Sequence, residues 1–228
     1  MILEELLQRI LYRDAMILIL NKPTGIAVHP GMGKKQNLQS FFEDLKFGLP
    51  NPPALAHRLD AATSGCLVLG RHRQALNKLG QMFANGKIEK TYWAIVKGHP
   101  QEKTGRIEIP LAKQSTHSHR WWMKADPNGQ EAITDYKILG ETENYSWLEL
   151  KPLTGRTHQL RVHCSAMGWP IVGDMIYGSS TGEENALHLH ARSISIPLYP
   201  KRDPILVDAP PPFHMEEALR LCGWKAPF

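Results

Sequence analysis

What most limits the fold of this chain is the shortness of its apolar runs. Strand-length stretches recur at 15–20, 26–29, 66–69, 89–97, 106–111, 131–139, 146–151, 187–196 and 205–207, with Gly, Pro, Asn or Ser turns between most of them. Helical spacing of apolar residues is confined to 2–11, 38–47, 73–84, 156–167 and 214–221. Many strands and few helices, joined mostly by turns, predict an α+β fold: a mixed, largely antiparallel central sheet flanked by helices and loops. A chain of 228 residues can bury a sizeable core, so a single domain over 1–228 is expected.

Composition narrows the class further. Hydrophobic residues make up 42% and charged residues 21%, the balance of an ordinary soluble protein. Lys and Arg (27) outnumber Asp and Glu (22), and this mild excess suits a polyanionic partner. Cys66, Cys164 and Cys222 form an odd set without CxxC spacing, which predicts reduced thiols and a cytoplasmic location. The start carries Glu4 and Glu5 and no long apolar run, so neither a signal peptide nor a membrane span is expected.

Several segments invite a chemical reading. Gly31-Met32-Gly33-Lys34-Lys35 lacks the spacing and the Lys-Ser/Thr ending of a nucleotide loop, and is read instead as a basic loop for an RNA backbone. The insert at about 112–130 is long for a hairpin connection. It holds Lys113, His117, His119, Arg120, Trp121, Trp122 and Lys124 with one acidic residue, Asp126. Cations interleaved with rings suit an arm that touches RNA; a hairpin whose tryptophans pack on its own base fits equally well. His188 and His190 alternate on a strand, but no carboxylate or cysteine lies near them in sequence, and no metal site is expected.

The most chemical stretch is His57-Arg58-Leu59-Asp60-Ala61-Ala62-Thr63-Ser64-Gly65, which runs straight into the apolar 66–69. Asp60 on such a braced loop is either a turn-capping carboxylate or a reactive one. Gly155-Arg156-Thr157-His158-Gln159-Leu160-Arg161-Val162-His163 is read as the start of a helix, with Arg161 sharing a face with His158 and Thr157. Lys90-Thr91-Tyr92 sets a phenol on a strand.

Together these three stretches resemble the RluA family of pseudouridine synthases. The resemblance extends to Asn21-Lys22-Pro23-x-Gly25 and Gly173-Asp174-x-x-Tyr177-Gly178, in the family's order and over nearly the whole chain. It implies isomerisation of uridine to pseudouridine in structured RNA, a large-subunit rRNA or tRNA stem-loop, with no cofactor, metal or obligate protein partner. It also implies roles: Asp60 as nucleophile, Arg161 as the cation that keeps it ionised, and Tyr92 stacked on the uracil. Leu160 would pack beside the base, and Arg58 would enter the RNA stack vacated by the flipped uridine. Lys22 is expected to reach a phosphate, His57 to make a structural hydrogen bond, and Pro23 and Gly25 to serve the turn. Many members of the family open with a small separate RNA-binding domain, and this chain is expected to be a minimal form without it. Two other classes compete. One is an RNA-binding module or chaperone with little catalysis; the other is a hydrolase pairing Asp60 with His57 or His163, which needs a second carboxylate that has no place here.

Overall fold

The computed structural model describes residues 2–29, 37–115, 121–178 and 186–226. The basic loop expected at 31–35 and His117, His119 and Arg120 of the arm lie outside them. In chain order, α1 (Leu3–Leu7) leads to β1 (Ile10–Arg13) and β2 (Ile17–Lys22). A 3-10 helix (Leu38–Leu45) precedes β3 (Ala54–Leu55), β4 (Ser64–Gly70) and α2 (Arg73–Ala84). Then come β5 (Glu89–Lys97), β6 (Thr104–Glu108), β7 (Leu111–Ser115), β8 (Trp121–Ala125), β9 (Ile133–Glu141) and β10 (Tyr145–Pro152). The chain ends with α3 (Gln159–Ala166), β11 (Leu189–Ile196), β12 (Ile205–Asp208) and α4 (Phe213–Leu221). This is the expected α+β class, with a large and mostly antiparallel sheet.

The chain divides into two compact units, residues 1–90 with 191–212 and residues 91–190 with 213–228. In the first, β2 pairs antiparallel with β1 and β4, and β12 with β11. Every residue of β4 is buried, so it reads as a continuous apolar run without alternation. Gly65 opens β4 at φ +106, and a Cβ there would run into the carbonyl oxygen of Ala191, so only glycine fits.

In the second unit β5, β10, β9 and β6 form an antiparallel run, with Tyr92 of β5 opposite Leu150 of β10. Helix α4 covers Ile95 and Trp147 with Met215 and Leu219. The predicted arm exists as a separate two-stranded sheet, β7 with β8. Its base packs Leu111 and Met123 against Ala132 and Val162 of α3.

Three elements differ from expectation. Residues 26–29 form no strand, because the Ala27 and Val28 carbonyls instead accept the Leu38 and Gln39 amides and start the 3-10 helix. Helix α1 stops at Leu7, and Ile10–Arg13 joins the sheet across a turn closed by Asp14, whose Oδ1 accepts the amides of Met16 and Ile17. The helix expected over 156–167 begins only at Gln159, since His158 is left-handed at φ 53. Among the described residues no helix is long and apolar enough to cross a membrane, and the three cysteines are buried thiols.

Candidate active site

In the first unit the segment 22–25 cradles the loop that carries Asp60. Strand β2 is buried except at the half-buried Asn21, and its last residue, Lys22, is at 0% exposure. Its ammonium donates to the carbonyls of Pro23 (2.8 Å), Ile26 (2.9 Å) and Ala61 (3.0 Å). The Gly25 amide also donates to Ala61, at 2.8 Å, and Thr24 Oγ1 to the Ala62 carbonyl at 2.7 Å. The turn itself closes through backbone, Thr63 N–H to the Asp60 carbonyl at 3.1 Å. The expectation that Lys22 reaches a phosphate is therefore corrected: its ammonium is committed to main-chain carbonyls of Pro23, Ile26 and Ala61, and no solvent reaches it. Asp60 is half-buried and Arg58 exposed on the same loop.

Lys22 and Asp60 sense one another. Burial drags the Lys22 ammonium down to about 7, and the Asp60 carboxylate pulls it part of the way back. A base held below its unfolded value of 10.5 makes the folded state gain stability as pH rises from about 7 towards 10.5. Lys22→Met takes a donor from three carbonyls, of which Ala61 keeps the Gly25 amide, an expected cost of about 3 kcal/mol at pH 7. That cost should grow by about 2 kcal/mol at pH 9, because the variant lacks the titration. Urea unfolding at the two pH values checks both numbers; a pH-independent difference counts against the buried ammonium.

His57 makes the structural bond expected of it, its Nε2 accepting the Val68 N–H at 3.0 Å. Burial, helped by Lys90, brings the ring down to about 4, so it is neutral at pH 7. His163 is equally committed, between Thr134 Oγ1 (2.9 Å) and the Ile109 carbonyl (3.0 Å). Neither histidine is placed to serve a hydrolase.

In the second unit α3 begins where Gln159 locks onto β9. Its amide group donates to the Ile133 carbonyl and Thr134 Oγ1, and its oxygen accepts the Arg156 N–H. Leu160 and Arg161, each 6% exposed, follow directly. Arg161 makes a bidentate pair with Asp174, Nε to Oδ2 at 2.8 Å and Nη2 to Oδ1 at 2.7 Å. Asp174 Oδ1 also accepts the amides of Ile176 and Tyr177. Burial alone would raise this carboxyl; the Arg161 guanidinium and the two amides outweigh it and hold Asp174 below the usual range. His158 does not share a helix face with Arg161. The two meet through Tyr177, whose hydroxyl lies 2.8 Å from His158 Nδ1 and whose ring lies 5.1 Å from Arg161 Cζ. Tyr92 is half-buried on β5.

An open groove of about 890 Å³ runs between β8 and α3, lined by Trp122, Lys124, Val162, Ser165, Met175 and Tyr177. Trp122 is half-buried there and Met175 is exposed. Sequence reasoning named Asp174 and Tyr177 only as members of a motif. The signal for them was present: an Asp three residues before a Tyr, in a loop following a helix with an arginine on an otherwise apolar turn.

Comparison with known proteins converges on one class. The family model described as RNA pseudouridylate synthase matches residues 16–166. An uncharacterized RNA pseudouridine synthase of Zymomonas mobilis is 40% identical over 209 residues, 91% of this chain and 95% of that protein. Ribosomal large subunit pseudouridine synthase C of Buchnera aphidicola is 38% identical, over 88% of this chain and 66% of that protein. The solved structure of human RNA pseudouridylate synthase domain containing 4 superposes with a TM-score of 0.81 at 25% identity, covering 99% of this chain and 97% of that one.

Proposed function

Because this chain belongs to the RluA-type RNA pseudouridylate synthase family, and so is an isomerase of uridine in RNA, we propose that Asp60 is its nucleophile. The observation that carries the reading is the cradle under the Asp60 loop. Lys22, Thr24 and Gly25 tie the carbonyls of Ala61 and Ala62 and so fix the backbone on which the Asp60 carboxylate is carried. A carboxylate presented half-buried on a loop braced in this way is placed as reactive side chains commonly are. In the isomerisation the bond from uracil N1 to the sugar C1′ breaks, the base turns, and C5 bonds to C1′. The C5 proton leaves and N1 takes one up, so the step balances without a redox partner, cofactor or metal.

The other roles follow from chemistry. A carboxylate attacks only when ionised, and in a desolvated site it needs a cation; Arg161, fixed by Asp174, is the residue assigned to supply it. Tyr92 stacks on the uracil and relays the C5 proton, and Leu160 packs beside the base. Arg58, exposed on the Asp60 loop, replaces the extruded uridine in the RNA stack and offsets part of the few kcal/mol that extrusion costs. The substrate is a stem-loop of large-subunit rRNA or tRNA, met in the cytoplasm, with the basic and aromatic arm as part of the contact.

Carbodiimide-dependent reverse-transcription stops on total RNA, from cells with and without the gene, test the reading. The expected result is one or a few stops that vanish on deletion and return with the wild-type gene. An unchanged pattern of stops across rRNA and tRNA overturns it.

A further inference from the structure

We infer that Tyr177 is a positioning residue that couples the β7–β8 arm to the guanidinium of Arg161. Its main chain is fixed to the helix side. The Tyr177 amide donates to Asp174 Oδ1 at 3.0 Å, the same oxygen that takes Arg161 Nη2, and its carbonyl accepts Ser165 Oγ at 2.7 Å. Its side chain reaches the other way. The hydroxyl accepts the Met123 N–H of β8 at 2.9 Å and shares a second hydrogen bond with His158 Nδ1 at 2.8 Å. Between these two ends lies the ring, with Arg161 Cζ over it at 5.1 Å, within the range where a cation is attracted to an aromatic face.

The hydrogen bond to Met123 joins a side-chain oxygen to the main chain of β8, so it follows the strand and not the identity of a neighbouring side chain. Met123 is itself 9% exposed in the small core at the arm's base, which holds that amide in place. A displacement of β8 moves the hydroxyl, and the ring tilts about a fixed backbone under the guanidinium. RNA that settles on the arm is thereby felt at Arg161, and the arm acts on turnover without touching the reacting base. The inference rests on the assignment of Asp60 and Arg161 made above.

Steady-state kinetics separate the two ends of the link, on a transcript spanning the uridine mapped in the deletion strain, with melting temperatures read beside them. Tyr177→Phe keeps the ring and loses the hydroxyl; KM is expected to rise about fivefold, with kcat falling by less than that. Tyr177→Leu loses the ring as well, and kcat is expected to fall at least about tenfold further. A simple structural brace would lower the melting temperature of both variants without splitting KM from kcat. That unsplit pattern, or wild-type kinetics in both, overturns the coupling. Asp60→Asn run in parallel reads the parent assignment: turnover surviving there overturns the site and the coupling with it. An inactive Asp60→Asn beside an unsplit Tyr177 pair overturns the coupling alone.

Discussion

Asp60→Asn should bind RNA within about twofold of the wild type yet form pseudouridine at least about 10⁴-fold more slowly, the scale on which loss of a covalent nucleophile is felt. The substitution exchanges one carboxylate oxygen for an NH₂ of nearly the same size. The hydrogen bonds from Thr63, Gly25, Lys22 and Thr24 run to main-chain oxygens of Asp60, Ala61 and Ala62, and an amide alters none of these. Arg58 stays exposed on the same loop, so the part assigned to RNA stacking is retained. What is lost is the negative charge, and with it the oxygen proposed as nucleophile. The charge has a second witness in Lys22, whose ammonium Asp60 holds up against burial; in the variant that lysine should titrate lower than about 7. Release of tritium from RNA labelled at uracil C5 reads the chemistry, and filter binding reads the affinity. Residual turnover within tenfold of the wild type would remove Asp60 from the mechanism, and a parallel loss of binding would make it a structural residue.

How far the sequence discloses such a site depends on what kind of signal each residue leaves. The strands were legible because burial on both faces forces unbroken apolar runs, as in β4, and α2 because its apolar stripe is flanked by His72, which caps it, and Asn85-Gly86, which ends it. The family was legible from the length of the motif around Asp60. Lys22 was misread, since a lysine at the end of a strand looks like a surface cation. Its burial follows from the position of β2 between β1 and β4, a long-range fact. The late start of α3 was hidden for a similar reason. Gln159 trades helix continuity for hydrogen bonds to Ile133 and Thr134, which lie about 25 residues away in sequence. The bidentate Asp174–Arg161 pair joins residues 13 apart across a loop, and no local periodicity announces it.

That pair gives the second large effect. Asp174→Asn should destabilise the fold by about 3–5 kcal/mol at pH 7, because it leaves a buried guanidinium facing an amide in place of a carboxylate. An asparagine oxygen can still accept the Ile176 and Tyr177 amides, so the change isolates the charge. Its pH dependence has a definite sign. Asp174 is held below its ordinary value of 3.8, so its contribution is complete above that value and is lost as pH falls through the lower folded value. The gap between wild type and variant should therefore be widest at neutral pH and close in acid, as denaturation followed from pH 7 down to pH 2 would record. Replacing both partners separates stability from chemistry. Arg161→Leu with Asp174→Asn should regain part of the lost stability, since it removes the buried guanidinium while the asparagine oxygen keeps the Ile176 and Tyr177 amides; turnover stays lost if Arg161 is the cation for Asp60, as proposed. If the double variant recovers its activity along with its stability, the pair is a structural clasp and the cation must come from another residue.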